Sequence, residues 1–165
     1  MRDEVDELVE AWARERADLD LAPVEVFSRI GRLARQLDRV RREAFTEHRI
    51  ESWEFDVLAA LRRAGDPYQL SPGRLIRETL VTSGTMTNRV DRLTDRGLVE
   101  RLPDPHDRRG VLVRLTPAGK EAVDSAFEAL LASERALLTV LDERDRARLA
   151  TLLRSLMGSL PTNRG

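Results

Sequence analysis

The clearest periodicity in the chain runs from Ser83 to Gly97, where Met86, Val90 and Leu93 recur at the i, i+4, i+7 spacing of a helix with one buried side. At about 100° per residue, the opposite side holds Thr85, Asn88, Arg92 and Arg96, with Thr87 and Asp91 beside them. Ser83 suits the N-cap position and Gly97 the C-terminal stop. Upstream, Ser71-Pro72 opens a shorter helix with Leu75, Ile76 and Leu80 as its apolar face, and a turn around Val81, Thr82 and Ser83 joins the two. Downstream the period shortens to 2. Leu98 to Leu102 and Val111 to Leu115 read as short strands, and Pro103 to Gly110 between them as a turn-rich hairpin. The predicted order is therefore helix, turn, helix, strand, hairpin, strand.

Longer apolar stripes flank this segment. From Pro23, Phe27, Ile30, Leu33, Leu37 and Val40 recur at helical spacing as far as Phe45; Phe55, Val57, Leu58 and Leu61 mark another helix ending near Gly65. Pro117 starts a long helix striped with Val123, Phe127, Leu130, Leu131, Leu137 and Leu138, and a last helix carries Leu149, Leu152, Leu153, Leu156 and Met157. The expected fold is mainly α with a small β wing (α+β): one domain over 1–165, comprising a winged helix-turn-helix lobe at 51–116 and a helical lobe from 1–50 and 117–165. The winged lobe is too small to need all these helices for its own core. They are read as a dimer interface between two copies of the chain; bundling within one chain is the alternative.

The polar side of the Ser83–Gly97 helix changes the picture from fold to function. In a helix-turn-helix the second helix enters the major groove, and Ser83, Thr85, Thr87, Asn88, Arg92 and Arg96 can bond base edges or phosphates. Taken alone, a solvated face explains such a helix equally well. The hairpin adds an independent signal, because Arg108 and Arg109 at its tip suit the electronegative minor groove. Asp107 would repel phosphate if it stood free, so it is expected to brace Arg109 or Arg108 through a charge-assisted hydrogen bond.

Charge is distributed to match. The net charge is −1, but Ser71 to Thr116 holds nine Arg against six Asp and Glu, or +3, while Met1 to Asp20 holds three Arg against eight acids, or −5. With 35% charged and 4% aromatic residues, long amphipathic helices fit better than a β sandwich. The chain has no cysteine, which excludes thiol-based sensing, and His48 and His106 lie far apart, so neither a metal site nor a cofactor is expected. With no long apolar run and no signal-peptide pattern, a cytoplasmic protein without membrane contact is expected.

The run SGTMTNRVDRLTDRGLVER followed by DPHDRRGVLVRLTPAG resembles the MarR family of bacterial winged-helix regulators, whose wing signature is matched by Asp107, Arg109 and Leu115-Thr116. WARERADLDLAPVEV and WEFDVLAALRRAGDPYQLSPGRL extend the resemblance over nearly the whole chain, toward the PecS, TamR and urate-responsive branch. The resemblance implies a homodimeric repressor of double-stranded DNA, released by a small anionic metabolite such as urate or a tricarboxylate. It also implies an effector site of Trp12, Asp56 and Arg89, with Arg63 as a further candidate. On the helical wheel Arg89 lies about 60° from the apolar stripe, so it is expected to turn inward toward Asp56. Packing for Trp12, and a phosphate contact or structural ion pair for Arg89, are the alternatives.

Three function classes compete. An enzyme has little support, since the acids are scattered on helical faces and no nucleophile, phosphate loop or ligand cluster stands out. A helical protein-interaction scaffold would share the amphipathic helices, but it gives no reason for arginines at a hairpin tip. A ligand-responsive DNA-binding regulator accounts for all the features together.

Overall fold

The computed structural model describes residues 2–159, apart from the Arg108 side chain. Among the described residues seven helices run α1 Glu4–Glu15, α2 Ala22–Glu47, α3 Ser52–Arg63, α4 Pro72–Thr79, α5 Ser83–Asp95, α6 Pro117–Leu137 and α7 Glu143–Gly158, with a 3-10 turn at Leu138–Val140. Strands β1 Gln69–Leu70, β2 Val99–Asp104 and β3 Asp107–Leu115 form an antiparallel sheet in the order β1-β3-β2. The mainly helical fold with a small β wing is thus the one the periodicity predicts.

The core gathers around α3, whose Val57, Leu58 and Leu61 are fully buried. Leu75 from α4, Met86, Val90 and Leu93 from α5, Val99, Val113 and Leu115 from the sheet, and Val123 and Ala126 from α6 close around them. Of the 26-residue α2, only the C-terminal end joins this core: Phe45 stacks on Phe55 at 4.4 Å, and Phe55 leans on Phe127 at 6.2 Å. Elsewhere the stripes of α2, α6 and α7 stay open, and α7 buries none of its residues. Phe27, Leu33, Phe127, Leu152 and Met157 are all about half exposed or more.

Helix ends account for several differences from the sequence reading. Thr82, not Ser83, caps α5: its hydroxyl accepts from the Thr85 N–H, and Ser83 is the first helical residue. Leu80 does not belong to the apolar face of α4. It ends that helix in the left-handed region at φ 53° and is 91% exposed. A left-handed non-glycine residue costs about 1–2 kcal/mol, and here no burial offsets the strain. Leu80→Asn is therefore expected to raise stability by about 1 kcal/mol, read as a higher urea midpoint at unchanged slope.

The wing is longer and its turn tighter than predicted. Strand pairing continues outward to Asp104 opposite Asp107, leaving Pro105 and His106 as the loop, with an irregularity at Pro103/Asp104. The strand β1 was not visible in the sequence, because two residues carry no periodicity. It lies against β3 through Gln69 opposite Arg114 and Leu70 opposite Val113.

At the other end of the molecule α1 is clamped to α2. Val5 is buried, and around it Arg29 bonds Asp3 at 2.8 Å and Asp6 at 2.6 Å, while Arg32 reaches Glu4 at 3.2 Å. The Arg29 guanidinium, helped by the backbone N–H groups of Asp6 and Val5, lowers the Asp3 pKa from 3.8 to about 2. The folded pKa lies below the unfolded one, so Asp3 contributes its full stabilisation above pH 4 and loses it as the pH falls through 2. Trp12 lies on this helix, so its fluorescence is expected to change between pH 4 and pH 2, and Asp3→Asn to flatten that transition.

Candidate nucleic-acid interface

The first turn of α5 is built to leave its donors outward. Thr82 and Thr85 share a hydroxyl contact of 2.9 Å at the cap, and Thr87 returns its hydroxyl to the Ser83 carbonyl at 3.1 Å. Ser83, Gly84, Thr85, Thr87 and Asn88 are all exposed, and nothing lies within 4 Å of a Cβ built on Gly84. The other side of the helix is anchored by Met86, Val90 and Leu93, each at most 2% exposed. An uncrowded helix N-terminus with short hydroxyl and amide side chains is a surface that accepts anions and base edges.

Further along α5, two arginines grouped with that face by the sequence are engaged with α3. Arg96 is a structural residue: its guanidinium bonds the Glu54 carboxylate and the Arg49 carbonyl, the latter at 2.8 Å. Glu54 is 1% exposed, and its other oxygen has no hydrogen-bond partner among the described residues. A buried carboxylate needs a cation, and Arg96 supplies it. Arg92 remains half exposed but pairs with Glu51 at 2.8 Å and lies over the Trp53 ring at 4.6 Å. Asp91 reaches across to Arg101 on β2 at 2.5 Å and ties helix to wing.

The wing tip is held by its aspartates. Asp107 does not brace a guanidinium among the described residues; its carboxylate accepts the Arg109 backbone N–H at 2.9 Å. Asp104 does the same for the His106 N–H. A Cβ on Gly110 would come within 2.8 Å of Asp104 and 3.0 Å of Asp107, so the turn needs glycine there. Side-chain oxygens that bond their own backbone two residues on stabilise turns, and this one presents Arg109 outward, exposed. The Arg108 side chain lies outside the described residues.

The residues expected to meet in an effector site are dispersed. Asp56 pairs with Arg41 at 2.5 Å rather than with Arg89. The reason is proximity: Arg41 lies on α2 against α3, over the Phe45 and Phe55 rings, while Arg89 turns to Trp53, with its guanidinium carbon 5.5 Å from the ring centroid. Arg63 is exposed and pairs with Glu78 at 3.6 Å. Trp12 is 48% exposed on α1. Arg41, Glu51, Trp53, Glu54 and Arg101 carry contacts that the sequence reading missed. Each reaches a partner on another element, and only Glu54, three residues after Glu51, carries a local signal, the capping-box spacing.

A family model described as MarR family matches residues 50–110. The HTH-type transcriptional regulator PecS of Dickeya dadantii (strain 3937) is 34% identical over 161 residues, covering 98% of this chain and 97% of that protein. The crystal structure of a MarR mutant from E. coli complexed with operator DNA superposes with a TM-score of 0.70 at 30% identity, covering 87% of this chain and 99% of that one. Bordetella bronchiseptica BpsR, in a structure on regulation of its DNA binding by 6-hydroxynicotinic acid, superposes with a TM-score of 0.60 at 27% identity, covering 78% and 98%.

Proposed function

Because the chain belongs to the MarR family of transcriptional regulators, we propose that it represses transcription as a homodimer that reads a pseudo-palindromic operator and is released by a small anionic metabolite. It is a DNA-binding regulator and not an enzyme. The observation that carries the operator reading is the open first turn of α5, with Ser83, Thr85, Thr87 and Asn88 exposed beside a wing that presents Arg109. Arg92 joins them at the edge of the face, and Arg96 supports it from below. Residues 51–116 then form the reading lobe, and 1–50 with 117–165 the dimerisation lobe.

The half-exposed stripes of α2, α6 and α7 support the homodimer. Scattered apolar residues need no explanation, but apolar stripes left open on three helices do. Among the described residues no helix is long and apolar enough to cross a membrane, and a cytoplasmic regulator suits that.

For the effector, the supporting observation is the Arg41–Asp56 pair, in which the Arg41 Nε is buried and without a hydrogen-bond partner among the described residues. A carboxylate or urate anion would compete with Asp56 for Arg41, while Arg89, held over Trp53, Trp12 on α1 and Arg63, paired with Glu78, stand apart from that pair. An anion that prefers one arrangement of α2 and α3 shifts the spacing of the two readers by population. BpsR, whose DNA binding responds to 6-hydroxynicotinic acid, gives the class of ligand a parallel.

A gel shift with DNA from upstream of the protein's own gene tests the reading. Sequence-selective binding is expected whose affinity falls steeply with salt, log Kd changing by about 0.9 per phosphate neutralised for each decade of salt. Equal affinity for scrambled DNA overturns the regulator in favour of a helical scaffold. Titration with urate and citrate, followed by Trp12 and Trp53 fluorescence, is expected to release DNA from the parent and not from Arg41→Gln.

A further inference from the structure

We propose that Glu51, the N-cap of α3, and Trp53 in its first turn, neither of them on the reading helix, are positioning residues for DNA recognition; the proposal rests on the DNA-binding reading above. Three contacts form one clamp. The Trp53 indole N–H donates to one oxygen of Glu51 at 2.7 Å, Arg92 Nη2 donates to the other at 2.8 Å, and the Arg92 guanidinium carbon lies 4.6 Å from the Trp53 ring centroid. Arg89, one turn earlier on the same face, lies over the same ring at 5.5 Å.

The clamp does two things to the charge it holds. An arginine lying on an aromatic face has its plane fixed, and a carboxylate on one edge leaves the remaining donors of the fork directed elsewhere. The geometry of Arg92 is therefore set before DNA arrives, and less side-chain freedom is lost on binding. At the same time the Glu51 charge offsets that of Arg92, weakening the sequence-independent attraction to phosphate that any exposed arginine adds. Both effects act on the ratio of specific to non-specific binding. A surface ion pair alone would contribute little to folding, and with Arg92 and Glu51 both about half exposed, their worth lies in this ratio.

The test uses a duplex selected by the full-length parent from a random-sequence pool, and a random duplex as reference, at several salt concentrations. Glu51→Gln is expected to bind the random duplex about 3-fold more tightly at low salt, with the salt slope steeper by about 0.9, and to gain nothing on the selected duplex. Trp53→Leu is expected to lose about 10-fold on the selected duplex and nothing on the random one, and Trp53→Phe to recover most of that loss. A specificity ratio unchanged in both Glu51→Gln and Trp53→Leu overturns the clamp, as does a parallel loss on both duplexes that follows the urea midpoint. A parent that selects no duplex overturns the DNA-binding reading, and the clamp with it.

Discussion

Replacing Arg96 with alanine is expected to lower the stability of the whole chain by about 3 kcal/mol, because the residue neutralises a carboxylate that has no access to water. Removing one member of a buried ion pair typically costs about 3–5 kcal/mol. The lower end applies here, since Arg96 is itself 39% exposed on its side chain and Glu54 keeps the Glu51 backbone N–H at 2.9 Å. The loss also frees the Arg49 carbonyl, so the α2–α3 connection and the C-terminus of α5 separate together. Urea denaturation reads the effect directly, and Glu54→Gln on the Arg96→Ala background is expected to restore more than half of it by removing the stranded charge. If the single Arg96 variant unfolds at the parent's midpoint and only its DNA affinity falls, Arg96 belongs to the reading face after all.

Gly119→Ala is expected to be at least as damaging, for a steric reason. A Cβ on Gly119 would lie 1.9 Å from the Leu98 carbonyl oxygen and 2.9 Å from its carbon. That oxygen is backbone and cannot rotate away. It also accepts the Thr116 N–H at 3.1 Å, while the Thr116 hydroxyl donates to the Gly97 carbonyl at 2.7 Å and accepts the Gly119 N–H at 3.0 Å. The start of α6 is thus strapped to the joint between the reading helix and the wing, and a methyl group must break the strap. Overpacking usually costs about 1–3 kcal/mol; a clash with fixed backbone lies at or above the top of that range, or about 10 °C in Tm for a chain of this size. Gly73→Ala is the control, with only the tip of Arg77 at 3.9 Å from its new methyl, and is expected to gain up to about 1 kcal/mol as helix propensity improves. Equal midpoints for the two variants would show that α6 can lift from Leu98 without cost.

The helices were legible because their signals are local. Met86, Val90 and Leu93 had to share a face whatever they packed against, and all three are buried; Ser71 and Thr116 cap their helices, each followed by proline. Errors of a residue or two arose where two neighbouring hydroxyls could serve, as at Thr82 and Ser83, or where an apolar side chain ended a helix instead of packing, as at Leu80. The wing was legible as a hairpin but not in its length, since the turn residues from Pro103 to Gly110 do not say how far pairing continues.

The polar residues divide differently. Composition and spacing alone determined that α5 would carry a row of arginines opposite an apolar stripe, and that a basic hairpin would follow. Only the tertiary structure decided which arginines are spoken for, because their partners lie far along the chain: Arg92 with Glu51, Arg96 with Glu54, Arg41 with Asp56. A helical period fixes the direction of a side chain to within a face, about a hundred degrees wide. A hydrogen bond needs its partner within about 3 Å, and that partner arrives only when the start of α3 comes to rest beside α5 and, for Arg41, when α2 packs on α3.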